Sequence, residues 1–338
     1  MGSARSKGDE TRVDLVFHIG MPKCASTTLQ NNVFFGIPGY LGTAKRIPQN
    51  RNFAKIFQSF APVGPRLWGN LNAARRWSQD VMEFGKQWPG LRRFIASTEF
   101  LTNRNKLHPR PIVPFLKRIS EEIWVHGRVK VIIVLRNPSA RLASSYAQNS
   151  AGTFGACQAH FERQVDRILT KDLSTLDVTA WVSDLFDALG QENVCVLLLE
   201  EIGEHRFWQS LQEFALLEEF DPASMVTGGS MNQRQSAANT WRLSPFESWN
   251  LAKSQSGKAV GLVWPGGRSP RLRKKTIFSI AHGLSALHKI NPARFKERER
   301  GTSIILTDEL RQRINKECGP FHERLSVLLG RDLAVLGY

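Results

Sequence analysis

The stretch Val13-Asp-Leu-Val-Phe-His-Ile-Gly-Met-Pro-Lys-Cys-Ala-Ser-Thr-Thr-Leu-Gln30 decides the fold. Its opening, Val13–Ile19, is a compact, largely apolar run without polar alternation. That is the pattern of a strand buried on both faces of a parallel sheet. A small, hydroxyl-rich turn follows and leads into a helix. Backbone N–H groups at such a helix start face the space beyond the strand end, and the helix dipole favours negative charge there. Lys23 adds a positive point charge, while Ser26, Thr27 and Thr28 offer hydroxyl donors and a cap. A Walker A loop would set its lysine immediately before the Ser/Thr that holds magnesium. Lys23 instead stands three residues before Ser26, which suits direct contact between the lysine and a terminal anionic group. Taken alone, the turn also fits an ordinary strand-to-helix connection with a surface lysine.

Three further apolar runs, Arg93–Ser97, Val129–Leu135 and Asn193–Leu199, read as strands of the same kind. Helical stretches are expected at Leu29–Phe35, Val113–Val125, Arg141–Gln148, Phe161–Thr170, Thr179–Leu189 and Phe207–Leu217, with a helical tail at Thr307–Leu329. Strands alternating with helices imply an α/β fold with a central, mostly parallel sheet flanked by helices. Ligands then sit beyond the carboxyl ends of the strands, just after Ile19, Ser97, Leu135 and Leu199. Residues 1–12 read as a flexible tail, and 13–338 as a single domain. It carries an insertion with short helices at about 36–90 and a basic, irregular elaboration from about 228.

Arg136-Asn-Pro-Ser-Ala-Arg-Leu-Ala-Ser-Ser-Tyr146 follows the third strand. An arginine at the end of an apolar strand is costly without a partner, and its fork of donors is shaped for a phosphate. Pro138 can open a helix capped by Asn137, which places Ser144 about two turns beyond Arg136. The competing reading pairs Arg136 with a helix carboxylate.

Together these segments resemble the PAPS-dependent sulfotransferases, where PAPS is 3′-phosphoadenosine 5′-phosphosulfate. Pro22-Lys-Cys-Ala-Ser-Thr-Thr28 is similar to that family's 5′-phosphosulfate loop, and Arg136-Asn-Pro-x-x-Arg-x-x-Ser-x-Tyr146 to its 3′-phosphate segment. The resemblance implies a three-layer, P-loop-NTPase-like fold with PAPS as donor, PAP as product and no required metal. By carry-over, Pro22, Lys23, Cys24, Ala25, Ser26, Thr27 and Thr28 hold the 5′ end, and Arg136 and Ser144 bind the 3′-phosphate. The loop departs from the family at Ala25, where Gly is usual, and the later segment at Ala140, where an acidic residue is common. Ala-Ser-Thr is nevertheless similar to the loop of uronyl 2-O-sulfotransferases, which points to the bacterial and carbohydrate members.

Two residues compete for the role of base. Glu99 follows the strand Arg93–Ser97, in a Ser-Thr-Glu segment similar to that of bacterial and carbohydrate sulfotransferases. His108, in Lys106-Leu-His-Pro, resembles the Lys-x-His base segment of the small-molecule members. Glu99 is favoured because it stands at the sheet edge. A late basic loop, Arg268 to Lys275, resembles the loop that family members fold over the 3′-phosphate, and it equally suits an acidic glycan, a lipid headgroup or plain solvent. His18, on the first strand, reads as a satisfied core histidine.

The bulk composition bounds the rest. The 338 residues are 41% hydrophobic and 22% charged, which excludes a disordered chain. Lys and Arg outnumber Asp and Glu by 46 to 30, a charge of +16 that favours anionic partners. The four scattered cysteines form no metal motif and read as reduced thiols. No apolar run is long enough to cross a bilayer. A cytoplasmic protein, peripheral at a membrane at most, is therefore expected. Its acceptor would be a hydroxyl of a carbohydrate or glycolipid. The alternatives are a small alcohol or phenol as acceptor, a P-loop nucleotide or metabolite kinase, or a non-enzymatic polyanion-binding protein. No specific nucleic-acid signature accompanies the charge.

Overall fold

The computed structural model describes residues 13–21, 23–41, 71–86, 90–91, 93–98, 112–123, 127–153, 155–218, 220–227, 235–237, 239–244 and 301–338. In chain order the main elements begin with β1 (Asp14–Gly20), α1 (Ser26–Thr28), α2 (Leu71–Gly85), β2 (Arg93–Thr98), α3 (Ile112–Ile123) and β3 (Val129–Leu135). They continue with α4 (Pro138–Asn149), α5 (Gln158–Lys171), α6 (Thr179–Leu189), β4 (Val194–Leu198), α7 (His205–Ala215) and α8 (Pro222–Thr227). The chain closes with β5 (Gln235–Ala237), β6 (Thr240–Arg242), β7 (Ser303–Ile305) and α9 (Asp308–Leu329). The chain divides into two compact units: Met1–Pro138 with Leu173–Met231 and Cys318–Tyr338, and Ser139–Asp172 with Asn232–Glu317.

The first unit carries the α/β architecture that the apolar runs imply. Its four-stranded sheet has the order β2-β1-β3-β4, and every neighbouring pair is parallel. All seven residues of β1 are buried, as a strand with a neighbour on each side and layers above and below requires. Helix α3 buries Ile112, Phe115, Leu116, Ile119 and Ile123, a three-and-four spacing that puts one apolar stripe against the core. At the amino ends of the central strands β1 and β3, Lys130 Nζ pairs with Asp14 at 2.9 Å and donates to Phe214 O at 3.1 Å, so these partly buried charges are matched.

The region read as an insertion begins as part of the sheet. Ile95 N–H donates to Gly39 O and Leu41 N–H to Ile95 O, adding a parallel bridge outside β2. Gly39 has φ +87°, and a Cβ there would stand 2.2 Å from Arg93 O, so only glycine fits this approach. The same region holds the 15-residue α2 instead of short helices only. The helix expected at 29–35 begins earlier, with α1, and continues as a π turn over Leu29–Val33 and a 3₁₀ turn over Phe34–Gly36.

The second unit contains α5 and a small antiparallel sheet of order β5-β6-β7, which the sequence reading did not anticipate. Gln158 acts as an extra rung on β7: its amide accepts Ile305 N–H at 2.8 Å and donates to Ile305 O at 2.9 Å. Trp241 is buried on β6, in a packing role. No helix of the described residues is long and apolar enough to cross a membrane.

His322, on α9, is buried with neither ring nitrogen hydrogen-bonded, and burial lowers its pKa to about 4. The unfolded chain protonates this histidine near its ordinary value of 6.5, and the folded chain only near 4. The unfolded state therefore binds more protons in that window, and stability falls as pH drops through it. Between about pH 7.5 and about pH 5, His322→Phe should lose less stability than the wild type, read from denaturant midpoints. Equal losses would show that the ring is not desolvated in solution.

Candidate functional site

Parallel register brings four chain exits to one edge of the sheet. Ile19 lies beside Thr98 and Ile133, Gly20 beside Val134, and Leu135 beside Leu198. The residues just beyond those pairs are the loop after β1, Arg136, and Leu199-Glu200.

The loop after β1 is tightly wound. Lys23 has φ +70° and Ala25 φ +55°, both in the left-handed region that L-residues adopt at a cost. Cys24 N–H donates to Met21 O at 3.2 Å, and Leu29 N–H donates to Ala25 O at 3.0 Å as the first helical bond. The N–H groups of Ser26, Thr27 and Thr28 precede that bond and so have no acceptor within the helix. Cys24 is wholly buried, so its side chain belongs to the core and only its backbone can serve the loop. Ser26 and Thr28 are buried too, with Ser26 Oγ reaching back to Met21 O at 3.5 Å, while Thr27 is exposed.

Arg136 meets this loop directly. Its Nη1 donates to the Lys23 carbonyl at 3.1 Å, so the guanidinium braces the left-handed turn. Burial lowers the Arg136 pKa, an effect opposed by the nearby Glu200 carboxylate. One hydrogen bond leaves most of a five-donor fork for another acceptor. Glu200, half-buried just past β4, accepts Asn137 N–H at Oε1 (2.8 Å) and Tyr338 O–H at Oε2 (3.1 Å). Burial raises the Glu200 pKa, against those hydrogen bonds and the nearby Arg136. Glu200 stands near Arg136 in charge, but its hydrogen bonds go to Asn137 N–H and Tyr338 O–H and not to the guanidinium. Asn137 was expected to cap α4; its side-chain amide donates to Gly337 O at 2.5 Å.

Among the sequence-derived residues, Lys23, the 24–28 loop and Arg136 come together. Ser144 is buried on α4, in the second unit. Pro22, Glu99, His108 and Arg268 lie outside the described residues, although Thr98, the residue before Glu99, ends β2 at the same edge. His18 is fully buried and only half satisfied: Nδ1 lies 2.7 Å from Ser97 Oγ, which also accepts from Gln30 Nε2 at 3.0 Å, and Nε2 has no partner. Burial takes its pKa to about 3, so the ring stays neutral. Glu200 and Tyr338 were not singled out from the sequence. For Glu200 the signal was present, since the sheet-edge rule pointed just past Leu199. For Tyr338 there was none.

Solved structures offer one loose match. It is the crystal structure of a sulfotransferase from Alicyclobacillus acidocaldarius, with 14% identity over 96% of this chain and 98% of that chain and a TM-score of 0.44. So distant a likeness carries no functional weight. No family model matches the chain, and no curated protein matches it.

The left-handed Ala25 gives a direct check on the loop. Ala25→Gly should leave stability within about 1 kcal/mol of the wild type, because relief of strain offsets the added freedom of the unfolded chain. Ala25→Val, with a β-branched side chain in that region, should cost at least about 1–2 kcal/mol in denaturant unfolding. If valine were tolerated as well as glycine, the left-handed turn would be wrong.

Proposed function

We propose that the chain is a sulfotransferase that moves a sulfuryl group from PAPS to a hydroxyl of a carbohydrate or glycolipid acceptor. The observation that carries this reading is the hydrogen bond from Arg136 to the Lys23 carbonyl. It joins the two segments that resemble the family's 5′ and 3′ phosphate sites at one sheet edge. The groups present fit such a donor: unbonded N–H groups at a helix start, a lysine in the same loop, and an arginine fork with donors to spare.

In this reading Pro22 to Thr28 hold the 5′ end. Lys23 neutralises charge that grows on the leaving phosphate, which matters more in the transition state than in the ground state. Arg136 grips the 3′-phosphate, Ser144 adds a hydroxyl, and Arg268 closes from the basic loop. Glu99 removes the acceptor proton, with His108 as the competing base. Most of the rate then comes from alignment and fixed charge, as in related phosphoryl transfers. The carbohydrate or glycolipid part rests on the Ala-Ser-Thr loop, the Thr-Glu segment and the net charge.

Calorimetric titration with PAP, beside ATP with magnesium, tests the donor. Wild type should bind PAP without metal, and Arg136→Ala should lose about 10²-fold or more in affinity, the cost of a bidentate charged contact. Lys23→Ala should reduce transfer more than it reduces PAP binding. A preference for Mg-ATP, or no PAP binding, would overturn the reading. For the base, Glu99→Gln should keep PAP affinity while transfer falls by about 10²–10⁴-fold. Undiminished transfer would move the role to His108.

A further inference from the structure

Arg136 sits beside Asn137, which two hydrogen bonds hold, while a third fixes the carboxylate that accepts one of them. Asn137 N–H donates to Glu200 Oε1, Tyr338 O–H donates to Glu200 Oε2, and Asn137 Nδ2 donates to Gly337 O. The segment that delivers Gly337 and Tyr338 is itself anchored. Leu333 is wholly buried, Tyr338 N–H donates to Leu333 O at 3.2 Å, and Gly337 N–H donates to Ala334 O at 2.9 Å. The Tyr338 ring stands edge-on to His322, with ring centres 5.2 Å apart. A carboxylate with both oxygens occupied by donors is a rigid link, and here it ties the end of β3 to residues two hundred positions away.

We propose that Glu200 and Tyr338 are positioning residues for the 3′-phosphate site, holding the β3–α4 junction so that the Arg136 fork faces an incoming phosphate in one orientation. This rests on the reading of Arg136 as the 3′-phosphate residue. Two effects of Glu200 on that phosphate have opposite signs. Its charge, beside Arg136, opposes a second anion, so removing it would tighten binding on Coulomb grounds alone. Its hydrogen bonds fix the backbone that carries the fork, and a planar bidentate contact tolerates only about 10–20° of misalignment. Positioning therefore predicts weaker binding when Glu200 is removed, and a bare charge effect predicts tighter binding.

The nucleotide pair PAP and AMP separates a 3′-phosphate effect from a general one, because AMP lacks only that group. Affinities for both are measured on wild type, Glu200→Ala, Glu200→Gln, Tyr338→Phe and Arg136→Ala. Glu200→Ala and Tyr338→Phe should each lose about tenfold in PAP affinity, the scale of one or two charge-assisted hydrogen bonds, with AMP affinity unchanged. Glu200→Gln keeps an acceptor for Asn137 N–H and should fall between wild type and Glu200→Ala. Tyr338→Phe loses a single hydroxyl and keeps the ring, so it remains informative if Glu200→Ala folds poorly. Should wild type bind PAP in an Arg136-dependent way while both variants keep its PAP-to-AMP ratio, the positioning role fails and the donor reading stands. Equal loss of PAP and AMP would mark a merely structural role, and tighter PAP binding a charge effect; either overturns the proposal. Wild type that binds no PAP, or binds it equally well in Arg136→Ala, removes the donor assignment and this role with it.

Discussion

Parallel pairing of β1 with β3 sets Gly20 beside Val134, and the candidate site follows from that register. Both strands release their chains at the same edge, within reach of one guanidinium. Arg136 then donates to the Lys23 carbonyl across a sequence gap of 113 residues. A shift of one residue would turn every side chain of a strand to the other face, and β1 and β3 are buried on both faces. The apolar packing of the central strands thus holds two polar segments together without any direct preference between them.

The loop after β1 shows what that anchoring permits. Neither Lys23 nor Ala25 is glycine, yet both adopt positive φ. Such conformations persist where surrounding contacts overdetermine them. Here the contacts are the Cys24 side chain sunk in the core, the Cys24 N–H bond to Met21 O and the Arg136 bond to Lys23 O. The result is a compact turn that leaves the N–H groups of residues 26–28 outside the helical ladder. Glycine would reach the same shape more easily, but alanine narrows the alternatives of the unfolded chain.

The sheet was legible in the sequence because its strands are short, apolar and bounded by turn residues. Val129–Leu135 agrees residue for residue, and the other three strands differ by one residue at an end or at each end. The helix Thr179–Leu189 also agrees, since its apolar spacing is regular and Gly190 ends it with φ +85°. Helix α2 was hidden by composition: its known buried positions are Ala74, Ser78 and Val81, too small or polar to announce a stripe. Strands β5 to β7 are three residues each, shorter than any period can reveal. Glu200 escaped notice for a different reason. The sheet-edge rule marks its place just past Leu199, but its partners Asn137 and Tyr338 lie 63 and 138 residues away and only the fold brings them near.

The balance of charge at the strand ends bears on why a carboxylate would belong beside an arginine that, on the proposed reading, receives a phosphate. A guanidinium partly withdrawn from water, with one neutral acceptor, is poorly compensated, and burial indeed lowers the Arg136 pKa. Glu200 opposes that cost through its charge without taking Arg136's donors, because its own oxygens are bonded to Asn137 N–H and Tyr338 O–H. A direct bidentate ion pair would hold the arginine equally well but would occupy the same edge of the fork that a phosphate needs. The observed arrangement separates the two tasks. The carboxylate supplies charge and fixes the backbone, and the fork keeps its free donors. On the proposed reading, a 3′-phosphate would then meet an arginine already desolvated and oriented, so binding need not order it. The long-range link through Gly337 and Tyr338 makes that orientation depend on the packing of the last turn rather than on the flexible arginine side chain alone.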